Sequence, residues 1–159
     1  MNKICTNIKQ SKKLVELGID INTADMHYMY RHWEIDENTV GAQSDANIGF
    51  DLDFYHGADN DKTYHYIPAW SLTALMNLLP SEFTTENEFG KYIYEIKIRK
   101  YNLIEDVNLH QIAYGSYKWH EDGGYTWKDM INTGEKEDFL DACYEMIIWL
   151  LENKKYETT

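Results

Sequence analysis

The chain has 159 residues, of which 43% are hydrophobic and 26% charged, and its formal net charge at pH 7 is −12. That length fits one domain with an ordinary core, and the hydrophobic share excludes global disorder. A charge so negative repels nucleic acid and anionic membrane, so direct binding to either is not expected.

The N-terminus, MNKICTNIKQSKK, is polar and basic and has no apolar core of a secretion signal. The apolar run Met146–Leu151 is far too short to span a bilayer. Cys5 and Cys143 sit near opposite ends and outside any CxxC motif. A disulfide framework or zinc ribbon is therefore not expected, and a reducing cytoplasm fits.

The first predicted element is a short helix, about Asn7 to Leu17, capped by Thr6 and ended by Gly18 with Ile19 as its apolar contact. Asp25 to Ile35 alternates around Met26, Tyr28 and Tyr30 and reads as a strand. Gly49 to Tyr55 alternates cleanly, with Phe50, Leu52 and Phe54 opposite Asp51 and Asp53. Thr63 to Ile67 is its expected hairpin partner across a turn-forming Gly57–Asp61. Ser71 opens a helix whose stripe is Leu72, Leu75, Met76 and Leu79, and Pro80 ends it.

Tyr92 to Tyr101 is the strongest strand, with Tyr92, Tyr94, Ile96 and Ile98 on one face and Glu95, Lys97 and Arg99 on the other. Leu109 to Trp119 follows, and a tight turn at Asp122-Gly123 brings Tyr125 to Trp127 back against it. A long C-terminal helix, about Lys136 to Glu152, has an apolar face of Phe139, Leu140, Cys143, Met146, Ile147, Leu150 and Leu151. Locally pairing strands with helices between and after them predict an α+β domain spanning residues 1–159. It would hold an antiparallel sheet of about five to six strands, two or three helices, and a long C-terminal helix.

From Glu34 to Asp61 there are eight acids (Glu34, Asp36, Glu37, Asp45, Asp51, Asp53, Asp59 and Asp61) and no Lys or Arg. Tyr28, Tyr30, Trp33, Tyr55, Tyr64 and Tyr66 lie in or beside this block. Tyr and Trp are enriched in protein interfaces, so acids around aromatics suit a basic protein partner, while the competing and slightly favoured reading places most of these rings in the core. Asp51 and Asp53 stand roughly 6.8 Å apart on a strand. Phosphates repeat every ~3.4 Å along a nucleic-acid strand, so loop acids would have to complete any mimicry of one.

Asp51, Asp53, His56 and His65, with Asp59 and Asp61 nearby, are the residue types that hold Mg²⁺, Mn²⁺ or Zn²⁺. The spacing fails the EF-hand, and a solvated acidic hairpin explains it better. His110, His120 and Glu121 form a second polar group that would suit acid–base work, with no nucleophile beside it. Cys143 falls mid-helix with Asp141 and Glu145 near, the opposite of what an activated thiol needs. No GxGxxG, GxxxxGK[ST], HExxH or GxSxG motif occurs.

Three segments, SKKLVELGI (Ser11–Ile19), IPAWSLTALMNLLP (Ile67–Pro80) and DACYEMIIWLLENK (Asp141–Lys154), resemble short uncharacterised proteins carried by phages and other mobile elements of anaerobic gut bacteria. The resemblance covers mostly core helices and implies an accessory role in a phage or mobile element. It supplies no catalytic or binding residues.

A small, acidic, non-enzymatic binding protein without cofactor is thus expected. It would bind a basic protein surface through Glu34, Asp36, Glu37, Asp51, Asp53, Asp59, Asp61, Tyr28, Tyr30, Trp33 and Tyr55, in its sharpest form as an inhibitor of a nucleic-acid-handling enzyme. The alternatives are a metal-dependent hydrolase or nuclease using Asp51, Asp53, His56 and His65, and a virion structural component that self-associates.

Overall fold

The computed structural model describes residues 3–31, 47–49, 64–88, 90–102 and 108–155. It is α+β, and every strand pairing in it is antiparallel. The described strands form two sheets, and the chain divides into two compact units, Lys3–Leu75 and Met76–Thr159.

The first unit opens with α1 (Ile8–Glu16). Asn7, rather than Thr6, is its N-cap: the Asn7 side chain accepts from the Gln10 backbone N–H, and Gln10 accepts from the Asn7 N–H in return. Thr6 is instead buried. Its hydroxyl lies 2.8 Å from Ser11 Oγ and accepts from the Trp70 backbone N–H, so tertiary bonding claims the group that sequence assigned to the cap. Gly18, at φ +93°, closes the helix, with its N–H donating to the Val15 carbonyl and the Ile19 N–H to that of Leu14.

Beyond a 3-10 turn at Ile21–Thr23 comes β1 (Met26–Arg31), which lies between β2 (Asn47–Gly49) and β3 (Tyr64–Ala69). The predicted hairpin of 49–55 with 63–67 falls largely outside the described residues. Its described ends, β2 and β3, flank β1 instead of adjoining one another. Met26, His27 and Tyr28 are all buried, so both faces of β1 are covered, as befits a central strand. Its core side meets Cys5, Ile8, Ala69 and Ile67. The boundary between the units falls within α2 (Leu72–Leu78). Ser71 caps it, its Oγ accepting from the Ala74 N–H, and Asp25 in turn accepts from the Ser71 backbone N–H and hydroxyl. The buried positions of α2 are Ala74 and Leu75, while Met76 is exposed.

The second unit orders its sheet β4 (Glu82–Asn87), β5 (Gly90–Asn102), β6 (Asn108–Trp119) and β7 (Tyr125–Asn132), each paired with the next in chain order. The alternation predicted for β5 holds through its register with β6: Ile96 faces Tyr114, Lys97 faces Ala113 and Arg99 faces Gln111. The C-terminal helix, α3 (Phe139–Glu152), begins after Asp138, whose carboxylate accepts from the Leu140 N–H. It buries Leu140, Cys143, Met146, Ile147 and Leu150. The helix packs on β6, and Phe83 bridges the layers by meeting both Tyr114 and Trp149. No helix among the described residues is long and apolar enough to cross a membrane.

Candidate functional site

Because side chains alternate along a strand, the helix takes one face of the four-stranded sheet and leaves the other. Phe83, Tyr94, Ile96, Ile112 and Tyr114 share the helix side through the register. The opposite side carries Lys97 and Arg99 from β5, Gln111, Tyr117 and Trp119 from β6, and Tyr125, Trp127 and Asp129 from β7. Tyr117 is 59%, Trp119 54% and Tyr125 67% exposed. Three large aromatic rings thus stand open on one face of the sheet.

Arg99 organises one end of this face. Its guanidinium grips Asp129 in a two-pronged pair, with Nη1 donating to Oδ2 at 2.7 Å, and Nη1 also donates to Gln111 Oε1 at 2.7 Å. The Trp127 indole N–H and the Asn132 amide donate to the same carboxylate, and the Tyr101 hydroxyl donates to Gln111 Oε1. The Arg99 bonds hold the Asp129 carboxyl down at about 2, helped by Trp127 and against a smaller opposing effect of burial. Arg99 is held more firmly charged by the same contact. The pair cancels its own charge, so this end offers hydrogen-bonding groups rather than a field.

Next to it, Tyr117 and Trp127 meet edge to face, with centroids 5.2 Å apart and planes at 79°. Lys97 Nζ lies 4.9 Å from the Trp127 centroid and 5.9 Å from that of Tyr117, so the ammonium sits on the negative faces of the rings. Gly115 makes the arrangement possible. The β6–β7 register shifts between Tyr114 and Gly115, and a Cβ at Gly115 would collide with the Lys128 carbonyl oxygen and stand 2.9 Å from Trp127 Cε2.

Two pairs further along, Trp119 and Tyr125 repeat the edge-to-face geometry, with centroids 4.7 Å apart and planes at 65°. The tight turn that follows, with Gly123 at φ +88°, presents Glu121 and Asp122 at the surface. His120 at its root bonds Thr126 through Nε2.

Most of the sequence-predicted binding residues fall outside the described part of the chain. Glu34, Asp36, Glu37, Asp51, Asp53, Asp59, Asp61, Trp33 and Tyr55 are outside the described residues, as is His56 of the metal alternative. Tyr30 and His65 oppose one another in the β1–β3 register, and their side chains are outside the description. Tyr28 is corrected: it is only 5% exposed, and its hydroxyl donates to the Thr6 carbonyl at 2.8 Å, so it is a core residue with no surface to offer a partner. Tyr66 is half-buried and meets His27 edge-on.

The other sequence candidates also separate. His110 stacks on Phe139 at the start of β6, while His120 lies just past its end, roughly 30 Å away along the strand. No acid–base pair can form across that distance. Cys143 is fully buried and its thiol is pushed up to about 12, chiefly by burial and then by Asp138. Burial likewise raises the Cys5 thiol. Among the described residues, no group of three or more His, Cys, Asp or Glu side chains is placed to hold a metal ion.

Alternation alone does not single out the rings at 117–127, because it says that residues share a face without saying which face receives the helix. Their i, i+2 spacing on both arms of the hairpin was the available signal. No family model matches the chain, and no curated protein or solved structure shows significant similarity to it.

Proposed function

We propose that this chain is a non-enzymatic binding protein that docks an aromatic sheet face onto a basic protein surface. The observation that carries the reading is the exposed row Tyr117, Trp119 and Tyr125, on the side of the sheet that turns away from α3. Tyr, Trp and Arg are the residues in which interface binding energy concentrates, and this face combines all three. Its rings are held by strand pairing and by one another, so little entropy is lost when a partner orders them. Self-neutralised Arg99 and Asp129 add directional hydrogen-bonding groups at its edge.

Charge supports the choice of partner. A chain of net charge −12, with eight acids and no Lys or Arg between Glu34 and Asp61, attracts a positive surface from a distance and then binds through the rings. A nucleic-acid-handling enzyme displays such a surface, so inhibition of one, in keeping with the resemblance to mobile-element proteins, is the sharpest form of the proposal.

The test uses a partner captured from cells and then purified. Replacing Tyr117, Trp119 and Tyr125 together by Ser is expected to weaken affinity by at least a hundredfold, since central interface aromatics are each worth about 2 kcal/mol or more. Reversing Asp51, Asp53, Asp59 and Asp61 to Lys is expected to slow association and to flatten its salt dependence. An affinity that survives the triple replacement, or a partner that is itself acidic, sinks the proposal.

A further inference from the structure

Two aromatic corners stand side by side on the β6–β7 hairpin, and they are built alike. In one, the edge-to-face pair Tyr117–Trp127 holds the ammonium of Lys97. In the other, the edge-to-face pair Trp119–Tyr125 has closer centroids and more exposed rings. Among the described residues, no lysine or arginine lies over the rings of the second corner. The turn that joins its two strands carries Glu121 and Asp122, both exposed. Ring faces and carboxylates favour the same kind of occupant, a cation, and the neighbouring corner demonstrates that a primary ammonium suits this geometry.

We propose that the Trp119–Tyr125 corner receives a lysine or arginine side chain from the partner. This rests on the reading of the chain as a binder of basic protein surfaces, and it names the contact at which that binding is centred. The stem of the incoming side chain lies along the indole, its charged head meets the ring faces, and Glu121 and Asp122 balance its charge. Lys97 fills the adjacent corner from within, so the two corners together present one internal and one external cation site in a single row. The acidic charge of the chain brings the cation close, and the rings give it a fixed position.

The probe is a short fluorescent peptide of alternating lysine and serine, compared with the same peptide acetylated at every lysine. The unaltered protein is expected to bind the first, and acetylation, which removes the cation, is expected to abolish binding. Trp119→Leu with Tyr125→Leu is expected to weaken binding about five- to tenfold, the effect of a cation–π contact at a partly exposed site. Trp119→Phe is expected to restore part of it. In two-dimensional NMR, the indole N–H signal of Trp119 should shift on titration more than that of Trp127. Circular dichroism of both variants confirms that they fold.

Equal affinity of the Leu double variant, or equal affinity for the acetylated peptide, overturns the inference while the proposal of a basic partner stands on its own triple replacement. No binding by the unaltered protein at low salt overturns it as well. Weakening of the natural partner by Ser at all three aromatics, with no response to the peptide, keeps the docking face and rejects this contact.

Discussion

Replacing Gly115 by Ala adds one methyl group to the middle of the β6–β7 ladder. The new Cβ would come closer to the Lys128 carbonyl oxygen than real Cβ contacts allow. It would also stand 2.9 Å from Trp127 Cε2 and 3.0 Å from Asp129 Cα. Two of those three neighbours are backbone, which moves only if the register at the bulge shifts. Forced overpacking costs about 1–3 kcal/mol. Glycine in a strand is itself less favourable than alanine by roughly 0.5–1 kcal/mol, which offsets part of that cost. A net destabilisation of about 1 kcal/mol is expected, which for a unit of under a hundred residues lowers Tm by about 4–8 °C. Thermal denaturation followed by circular dichroism measures it.

A double variant identifies the cause. Trp127→Ala removes the indole but leaves the Lys128 carbonyl where it is, so it is expected not to rescue Gly115→Ala. A Tm within about 2 °C of the parent, or full rescue by Trp127→Ala, would refute the backbone clash. Because Trp127 positions Lys97, the same substitution is expected to disturb the docking face even at temperatures where the protein stays folded.

The Arg99–Asp129 pair should be visible in acid. The Asp129 carboxyl is held at about 2, below its ordinary 3.8, so its contribution is complete above about pH 4 and disappears as pH falls toward 2. The pair is about a quarter exposed, so screening reduces the gain to about 1 kcal/mol. Urea midpoints measured across that window are expected to fall less steeply for Asp129→Asn than for the parent, and parallel slopes would contradict the assignment. Tyr28→Phe removes a buried hydroxyl bond to the Thr6 carbonyl and should cost about 1 kcal/mol in urea denaturation with no effect on partner affinity. A loss of affinity would return Tyr28 to the interface. Cys5 and Cys143 are both buried, with Cys143 raised to about 12, so a thiol reagent at pH 8 should label neither until denaturant is added. Rapid labelling of the native protein would contradict their burial.

The elements legible from the residues alone are those whose signal is local. The alternation in Tyr92–Tyr101, the turn at Asp122-Gly123, the left-handed Gly18 and the apolar face of the C-terminal helix all depend on neighbours a few residues apart, and all appear in the structure. β4 is not among them, because EFTTEN is an edge strand whose Glu82 and Glu86 hide any apolar alternation.

Long-range packing sets how the strands divide into two sheets, why Thr6 gives up its cap, and which side of β6 the helix covers. Periodicity shows that Tyr117 and Trp119 share a face on β6 and that Tyr125 and Trp127 share one on β7. Whether those faces are core or surface depends on where α3 packs, and that is settled by contacts between residues far apart in the chain. Tyr28 and Tyr117 show the consequence: both are strand tyrosines, but one is locked in the core by a hydroxyl bond to the Thr6 carbonyl and the other stands open to solvent.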